Sequence, residues 1–489
     1  MIALDDLLAP WMTLETETEV RGLTLDSRQV VPGDCFVAMP GHLVDGRDYI
    51  DAAVAKGAVA VLEEAERAGL IAEAPVLRIG LPQLASQLSA IALRAYPDAA
   101  RPVLYGVTGT NGKTTVTQLL AQLHDLMGER AGVMGTVGNG LWGALEPSAN
   151  TTSDALTVAR ALADQARAGA AAVALEVSSH GLSQHRVDAL PFAVGIFTNL
   201  SRDHLDYHGD MNGYSDAKAR LFELPQLQAG VFNLDDQYGA QWHRRWPTDK
   251  PGVGYSIDGA TCRGHFLSVK RADYHPGGVS AVVDSSWGRF QLDSPLIGQF
   301  NLANLLAALG AMLIRGMELA PLLQAVSRLK PALGRMESFS APGRATVVVD
   351  YAHTPDALGQ ALTALKHHCR GRLWCVFGCG GDRDRGKRPL MAMEAEALAD
   401  ELVLTADNPR SEAVADIIGQ MQQGLSGRAH CRVETDRARA VALAVAEAGE
   451  KDMILVAGKG HEDYQIIGTE RRHYDERRWV QQLMESVDD

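Results

Sequence analysis

Gly109-Thr110-Asn111-Gly112-Lys113-Thr114-Thr115 is the stretch of this 489-residue chain whose residue types come closest to a reaction. Glycines let backbone N–H groups approach phosphate oxygens, and a helix starting at the lysine turns its positive end toward them. Lys113 has the reach for the outer phosphates, and the Thr114 hydroxyl is a ready Mg2+ ligand. Val107 stands where the common form of such loops has its first glycine, so a chance Gly-Lys-Thr turn is the plainer alternative. The apolar run before the turn, and Leu119, Leu120, Leu123, Leu126 and Met127 at helical spacing after it, favour a nucleoside-triphosphate site.

Other chemistry-bearing residues sit where apolar runs stop. Glu176, in Leu175-Glu176-Val177-Ser178-Ser179-His180-Gly181-Leu182, is placed like a metal ligand one strand from a phosphate loop, or like an ion-paired structural glutamate. His204, in Asn199-Leu200-Ser201-Arg202-Asp203-His204-Leu205-Asp206, suits a ligand and a structural histidine equally. Lys218 alone reads as a solvated helix lysine. Asp350-Tyr351-Ala352-His353-Thr354-Pro355 is harder to dismiss, because a strand runs straight into it. The charged stretch Gly381–Pro389 could be no more than a surface loop.

Strands ending beside these groups must position them. The pattern predicts an α/β protein of three domains, since 489 residues exceed what one core supports. A small α/β domain covers 1–97, with Tyr96-Pro97-Asp98 and Arg101-Pro102 as the linker. A central P-loop-type domain with a parallel sheet covers 98–332. Its strands include Ala171–Val177 and Phe192–Leu200, with an antiparallel insert at about 252–296 and a buried helix over Phe300–Ile314. A Rossmann-like domain covers 333–489, with strands at Ala345–Val349, Leu373–Phe377, Glu401–Thr405 and Met453–Val456. Chemistry in such sheets belongs beyond the C-terminal strand ends.

Bulk properties exclude some partners. A net charge of −14 gives no support for nucleic acid or an anionic membrane surface, so an anionic substrate needs local Arg, Lys and metal ions. The start, MIALDDLLAP, lacks a basic flank and long apolar core, so no signal peptide is expected. Apolar stretches such as Leu305–Ile314 are about half a membrane span. The six cysteines show no CxxC spacing, and a reduced, cytoplasmic monomer is expected.

Nine stretches in order, GTNGKTT, EVSSHGL, TNLSRDHLDYHG, GQFNLANLLAA, GRME, DYAHTP, FGCGGDRDRGKRP, DNPR and GKGHE, resemble the Mur ligase family over essentially the whole chain. That resemblance accommodates Val107, and it implies an ATP-dependent acid–amino-acid ligase. ATP phosphorylates the D-Glu γ-carboxylate of UDP-N-acetylmuramoyl-L-Ala-D-Glu, and the amine of an incoming amino acid attacks the acyl-phosphate. Bringing two anions together makes charge neutralisation the main task.

The resemblance also implies residue roles. ATP is held by Gly109, Thr110, Asn111, Gly112, Lys113, Thr114 and Thr115, by Asn301 and Asn304 near adenine, by Arg335 near ribose, and by Asp350. Lys113, Glu176, His204 and Lys218 are the catalytic set; Thr114 and Glu176 hold one Mg2+, and Glu176, His204 and a CO2-derived carbamate on Lys218 serve a second. The UDP-sugar peptide is bound by Leu25, Ser27, His42, Leu43, Val44, Asn150, Thr151, Thr152, Ser178, Gln184 and Arg186. The amino-acid pocket takes Arg383, Asp407, Asn408, Pro409, Arg410, Gly458 and Glu462. Arg410 closes DNPR, the version that looks like enzymes adding meso-diaminopimelate, whose distal carboxylate a guanidinium can grip. The alternatives are a lysine-adding ligase of the same family, folylpolyglutamate synthetase, and, from another class, a P-loop nucleotide switch.

Overall fold

The computed structural model describes residues 1–41, 44–148 and 150–485. Two compact units emerge. The first holds Met1–Tyr255, Cys262–His265 and Ala307–Met317; the second holds Ser256–Thr261, Phe266–Leu306 and the chain from Glu318.

Within the first unit, a small sheet orders Leu23–Thr24, Cys35–Ala38, Ala60–Glu64, Leu77–Leu81 and Gly69–Ala72, all parallel but the last. A larger parallel sheet places Val103–Thr108 between Ala172–Glu176 and Phe192–Phe197, with Ala131–Gly135 on one flank and Ala229–Asn233 and Gly252–Ser256 on the other. These strands are apolar runs because helices such as Lys113–Leu126 and Ala155–Arg167 cover both faces. Residues 1–97 pack into the same compact unit as the larger sheet. One apolar core runs from Leu4 and Leu81 through Leu88 and Ile91 to Leu156, Leu175 and Leu221, and this shared burial joins the two sheets.

In the second unit, a six-stranded sheet runs Glu337–Phe339, Thr346–Asp350, Met453–Ala457, Leu373–Phe377, Glu401–Leu404 and His430–Val433, parallel except at its first strand. Alternation along each strand fills two cores: Val348, Cys375, Phe377 and Leu455 on one face, and Val347, Trp374, Val376 and Ile454 on the other. The expected antiparallel insert is present as His265–His275, Gly278–Ser285 and Phe290–Ser294. Among the described residues no helix is long and apolar enough to cross a membrane.

Candidate active site

Strand register sets the cluster of candidates in the first unit. Glu176 pairs with Val107 and Phe197 with Thr108, so three strands finish level around the turn Gly109–Gly112. Lys113, Thr114 and Thr115 open the helix that follows. The turn is stitched from behind: Thr110 N–H donates to Asn199 O at 2.8 Å, Asn111 N–H to Asn199 Oδ1 at 3.0 Å, and the Thr198 hydroxyl to Asn111 O at 2.6 Å. Gly109 has φ +150°, and a Cβ there would run into the Thr198 hydroxyl. Only glycine lets the loop lie this close to its neighbour.

Two lysines converge on one carbonyl. Lys113 Nζ donates to Gly109 O at 2.9 Å and to Thr110 O at 2.8 Å, and Lys218 Nζ donates to the same Gly109 O at 2.8 Å. Lys218 is buried at 1% exposure, so the solvated-lysine reading fails, because its helix Met211–Glu223 turns that face inward. Burial, reinforced by the Lys113 charge, holds its pKa well below the usual lysine range. The site therefore contains a buried amine whose charged form is disfavoured, beside the turn Gly109–Gly112.

Glu176 is as buried, and its carboxylate is fully engaged. Thr114 Oγ1 donates to Oε1 at 3.0 Å, Thr136 N–H to Oε1 at 3.0 Å, and Thr136 Oγ1 to Oε2 at 3.3 Å. Burial raises its pKa against the opposing pull of Lys113 and these donors. His204 is half-exposed with φ 51°, its Nε2 3.4 Å from Asp203 Oδ2. Its ring lies 6.1 Å from that of Tyr214, over which Lys218 Nζ sits at 4.6 Å. Tyr214 Oη is also 3.3 Å from Thr110 Oγ1. Sequence reasoning missed Tyr214 as a joint between these groups, although its i, i+4 spacing to Lys218 was the available signal.

Several residues expected to bind the acceptor gather at the same strand end. Thr152 Oγ1 donates to Glu176 O at 2.8 Å, and Thr151 Oγ1 is 3.1 Å from Thr136 Oγ1. Arg186, its pKa lowered by burial, forks onto Gln184 Oε1 at 3.1 and 2.6 Å and also donates to Thr152 O. Ser178 Oγ caps Ser179–Ser183 by accepting from Gly181 N–H at 3.0 Å, while Asn150 is exposed. Leu25 and Ser27 are half-buried after the strand Leu23–Thr24, and Val44 is exposed. His42 and Leu43 lie outside the described residues.

The second unit carries the remaining candidates. Asn301 and Asn304 are buried on Gln299–Ile314, where Asn304 Nδ2 donates to Asn301 Oδ1 at 3.4 Å. The Arg335 guanidinium stacks 4.9 Å over the Tyr351 ring, itself 5.0 Å from that of His461. Gly334, with φ +64°, lets this turn press on Gly460, since a Cβ would strike the His461 N–H. Asp350 spends both oxygens on backbone, accepting from Met336 N–H and Ala352 N–H at 2.8 Å each. Burial raises its pKa against the Arg335 charge.

Asp407 and Asn408 are buried, Arg410 is half-buried with φ 50°, and Arg383 is exposed. Arg410 Nη1 donates to Gly381 O at 2.9 Å, and Pro409 stands between it and Asn408. Gly458, with φ +122°, brings its backbone against the Asp407 carboxylate. Glu462 Oε2 accepts from Asn408 Nδ2 at 3.0 Å. The supports for this pocket were missed. Arg437 pairs with Glu476 at 2.5 and 2.9 Å and donates to Ala406 O and Ala457 O at 3.1 and 2.8 Å, tying together the ends of two strands. Buried Arg388 pairs with Glu412 at 3.0 and 2.8 Å, and Glu412 Oε1 accepts from Asp382 N–H at 2.7 Å. Arg388 pulls the Glu412 pKa down to about 2. Each pair spans 24 residues or more, and no local pattern marks it.

Among the described residues no group of three or more His, Cys, Asp or Glu could hold a metal ion. The donors here are mixed: a buried carboxylate 3.0 Å from a threonine hydroxyl, with an imidazole and a buried lysine amine grouped around Tyr214. Oxygen donors of this kind suit a hard divalent cation.

Three family models match the chain: Mur ligase family, catalytic domain over 19–96; Mur ligase middle domain over 107–312; and Mur ligase, glutamate ligase domain over 334–460. The chain is 49% identical over 487 residues to the UDP-N-acetylmuramoyl-L-alanyl-D-glutamate–2,6-diaminopimelate ligase of Vibrio vulnificus (strain YJ016), covering 98% of each. It is 48% identical to the ligase of the same name from Vibrio cholerae serotype O1, covering 99% of this chain and 98% of the relative. A solved structure of a ligase of that name superposes with TM-score 0.78 at 38% identity, covering 99% of this chain and 98% of the other.

Proposed function

The chain belongs to the Mur ligase family, and on that premise we propose that it joins meso-2,6-diaminopimelate to the D-Glu γ-carboxylate of UDP-N-acetylmuramoyl-L-Ala-D-Glu, converting ATP to ADP and phosphate. The observation that carries this reading is the 49% identity, sustained over 98% of both chains, with a ligase named for that reaction. The product serves peptidoglycan precursor synthesis, and the enzyme works as a cytoplasmic monomer on small molecules. Its three domains are 1–97 for the UDP-sugar, 98–332 for ATP and 333–489 for the amino acid, close to the spans of the three family models.

Lys113 and the N–H groups of Gly109–Gly112 hold the triphosphate and neutralise it against the incoming carboxylate. Thr114 and Glu176 would hold one Mg2+, and Glu176, His204 and a carbamylated Lys218 would serve a second; when bound, these ions would add positive charge. Lys218 suits carbamylation because burial lowers its pKa and so favours the amine over the ammonium. Its lone pair attacks CO2, an N–C bond forms, one proton leaves, and the amine becomes an oxygen-donor anion. Thr152, Ser178, Gln184 and Arg186 orient the acceptor peptide at the Glu176 strand end, Asn301, Asn304, Arg335 and Asp350 serve the nucleoside, and Arg383, Asp407–Arg410, Gly458 and Glu462 receive the amino acid.

The test couples phosphate release to a panel of UDP-muramoyl peptides and amino acids. Turnover should require both the dipeptide acceptor and meso-diaminopimelate. Equal use of lysine would reassign the chain to the lysine-adding branch, and turnover independent of either co-substrate would leave a nucleotide switch.

A further inference from the structure

Lys459, in the stretch Gly458-Lys459-Gly460-His461-Glu462, is fully buried. Its Nζ donates to Tyr464 O at 2.7 Å, Asn408 Oδ1 at 3.0 Å and Glu462 Oε2 at 3.3 Å. An ammonium has three N–H groups, and here they have three acceptors. Asp407 Oδ1 also faces the ammonium, at 3.4 Å, yet has no hydrogen-bond partner. Charge attracts it, but no N–H is left for it.

This arrangement dictates the polarity of Asn408. Its Oδ1 accepts from Lys459 Nζ and from Ile466 N–H at 2.9 Å, two groups that can only donate. The amide therefore cannot be flipped without setting its NH2 against two donors. One Nδ2 hydrogen goes to Glu462 Oε2 at 3.0 Å. Among the described residues, the other Nδ2 hydrogen is the one direction the side chain has left, and it can serve only an acceptor such as a carboxylate.

We propose that Lys459 is a positioning residue for the amino-acid substrate: its ammonium fixes the Asn408 amide so that an N–H, not a carbonyl, meets a substrate carboxylate. The proposal rests on the reading that Asn408 belongs to the amino-acid pocket. Lys459 touches no substrate; it acts through Asn408. Without it the amide keeps only Ile466 N–H at its Oδ1, the preference for one orientation weakens, and with it the preference for an amino acid bearing an extra carboxylate.

The test uses the full chain, with KM and kcat measured for meso-diaminopimelate and for lysine in wild type, Lys459→Met, Asn408→Ala and the double variant. Lys459→Met should raise the diaminopimelate KM about ten- to hundredfold, the scale of a hydrogen bond to a charged group. KM for ATP and for the nucleotide-peptide should stay within about twofold, and the preference over lysine should narrow. In the Asn408→Ala background the same change should add less than about twofold to the diaminopimelate KM, because its route is already gone. Lys459→Gln, which keeps an N–H donor near Asn408 Oδ1, should fall between the two and serves as the readable variant where methionine unfolds the chain. A folded variant with unchanged diaminopimelate KM, or a full multiplicative effect on top of Asn408→Ala, overturns the proposal. Absence of diaminopimelate turnover in wild type instead overturns the functional reading.

Discussion

The two candidate clusters, one in each unit, handle charge in opposite ways. Around the turn Gly109–Gly112, burial works against the charged forms, pushing the Glu176 pKa up and the Lys218 pKa down. Around Asp407–Arg410, the residues proposed for the amino acid, opposite charges are paired: Arg437 with Glu476, Arg388 with Glu412, and Lys459 with Asp407 and Glu462. Burial in the second cluster is as deep as in the first, with Arg437 and Glu476 at 1% and 0% side-chain exposure. The difference lies in partners. Opposite charge and hydrogen bonds outweigh desolvation at Arg437 and raise its pKa, whereas Lys218 has another lysine for a neighbour. A receptor for a zwitterion gains from a rigid, already neutralised frame. A site for triphosphate and cations gains from groups that take on charge when those ligands arrive.

The comparison breaks most visibly where a pair is split. Glu476→Ala leaves the Arg437 guanidinium buried without its carboxylate, which typically costs about 3–5 kcal/mol. We expect a large fall in the denaturant midpoint of the C-terminal unit, with diaminopimelate binding lost alongside it. A midpoint within error of wild type would mean the pair is not the frame of the pocket.

Lys218→Ala probes the other cluster, where a disfavoured charge is argued to be replaced by a carbamate. Turnover should fall on the order of 10²–10³-fold, while affinity for the UDP-sugar peptide survives. Added bicarbonate should leave the variant unchanged. Near-normal kcat in Lys218→Ala would remove the lysine from the catalytic set.

Arg410→Ala has the smallest expected effect of the three, because the side chain is half-buried and donates to the Gly381 carbonyl. Its loss should raise the diaminopimelate KM about tenfold to a hundredfold and narrow the preference over lysine, with ATP and UDP-sugar affinity nearly untouched. An unchanged ratio of kcat/KM for the two amino acids would show that Arg410 does not read the distal carboxylate.

Strands and turns were legible in the sequence because local chemistry writes them. Apolar runs stop where the parallel strands stop, and Gly109 and Gly112 mark the loop between strand and helix. Candidate residues at strand ends, Glu176, Asp350 and Asp407 among them, followed from the same rule. Lys218 shows where that legibility ends. Its helix is plain in the sequence, but nothing there says that this face turns inward onto the Gly109 carbonyl, 109 residues away.

Residue type and spacing determined which side chains could do chemistry and on which elements they sit, since helix periodicity, strand alternation and turn residues act over a few positions. Tertiary structure alone decided their protonation and orientation. The lowered pKa of Lys218, the raised pKa of Glu176 and the fixed amide of Asn408 each depend on desolvation or on partners brought in from distant stretches, such as Lys459 at 51 residues from Asn408. Those are through-space effects, and a linear pattern does not carry them.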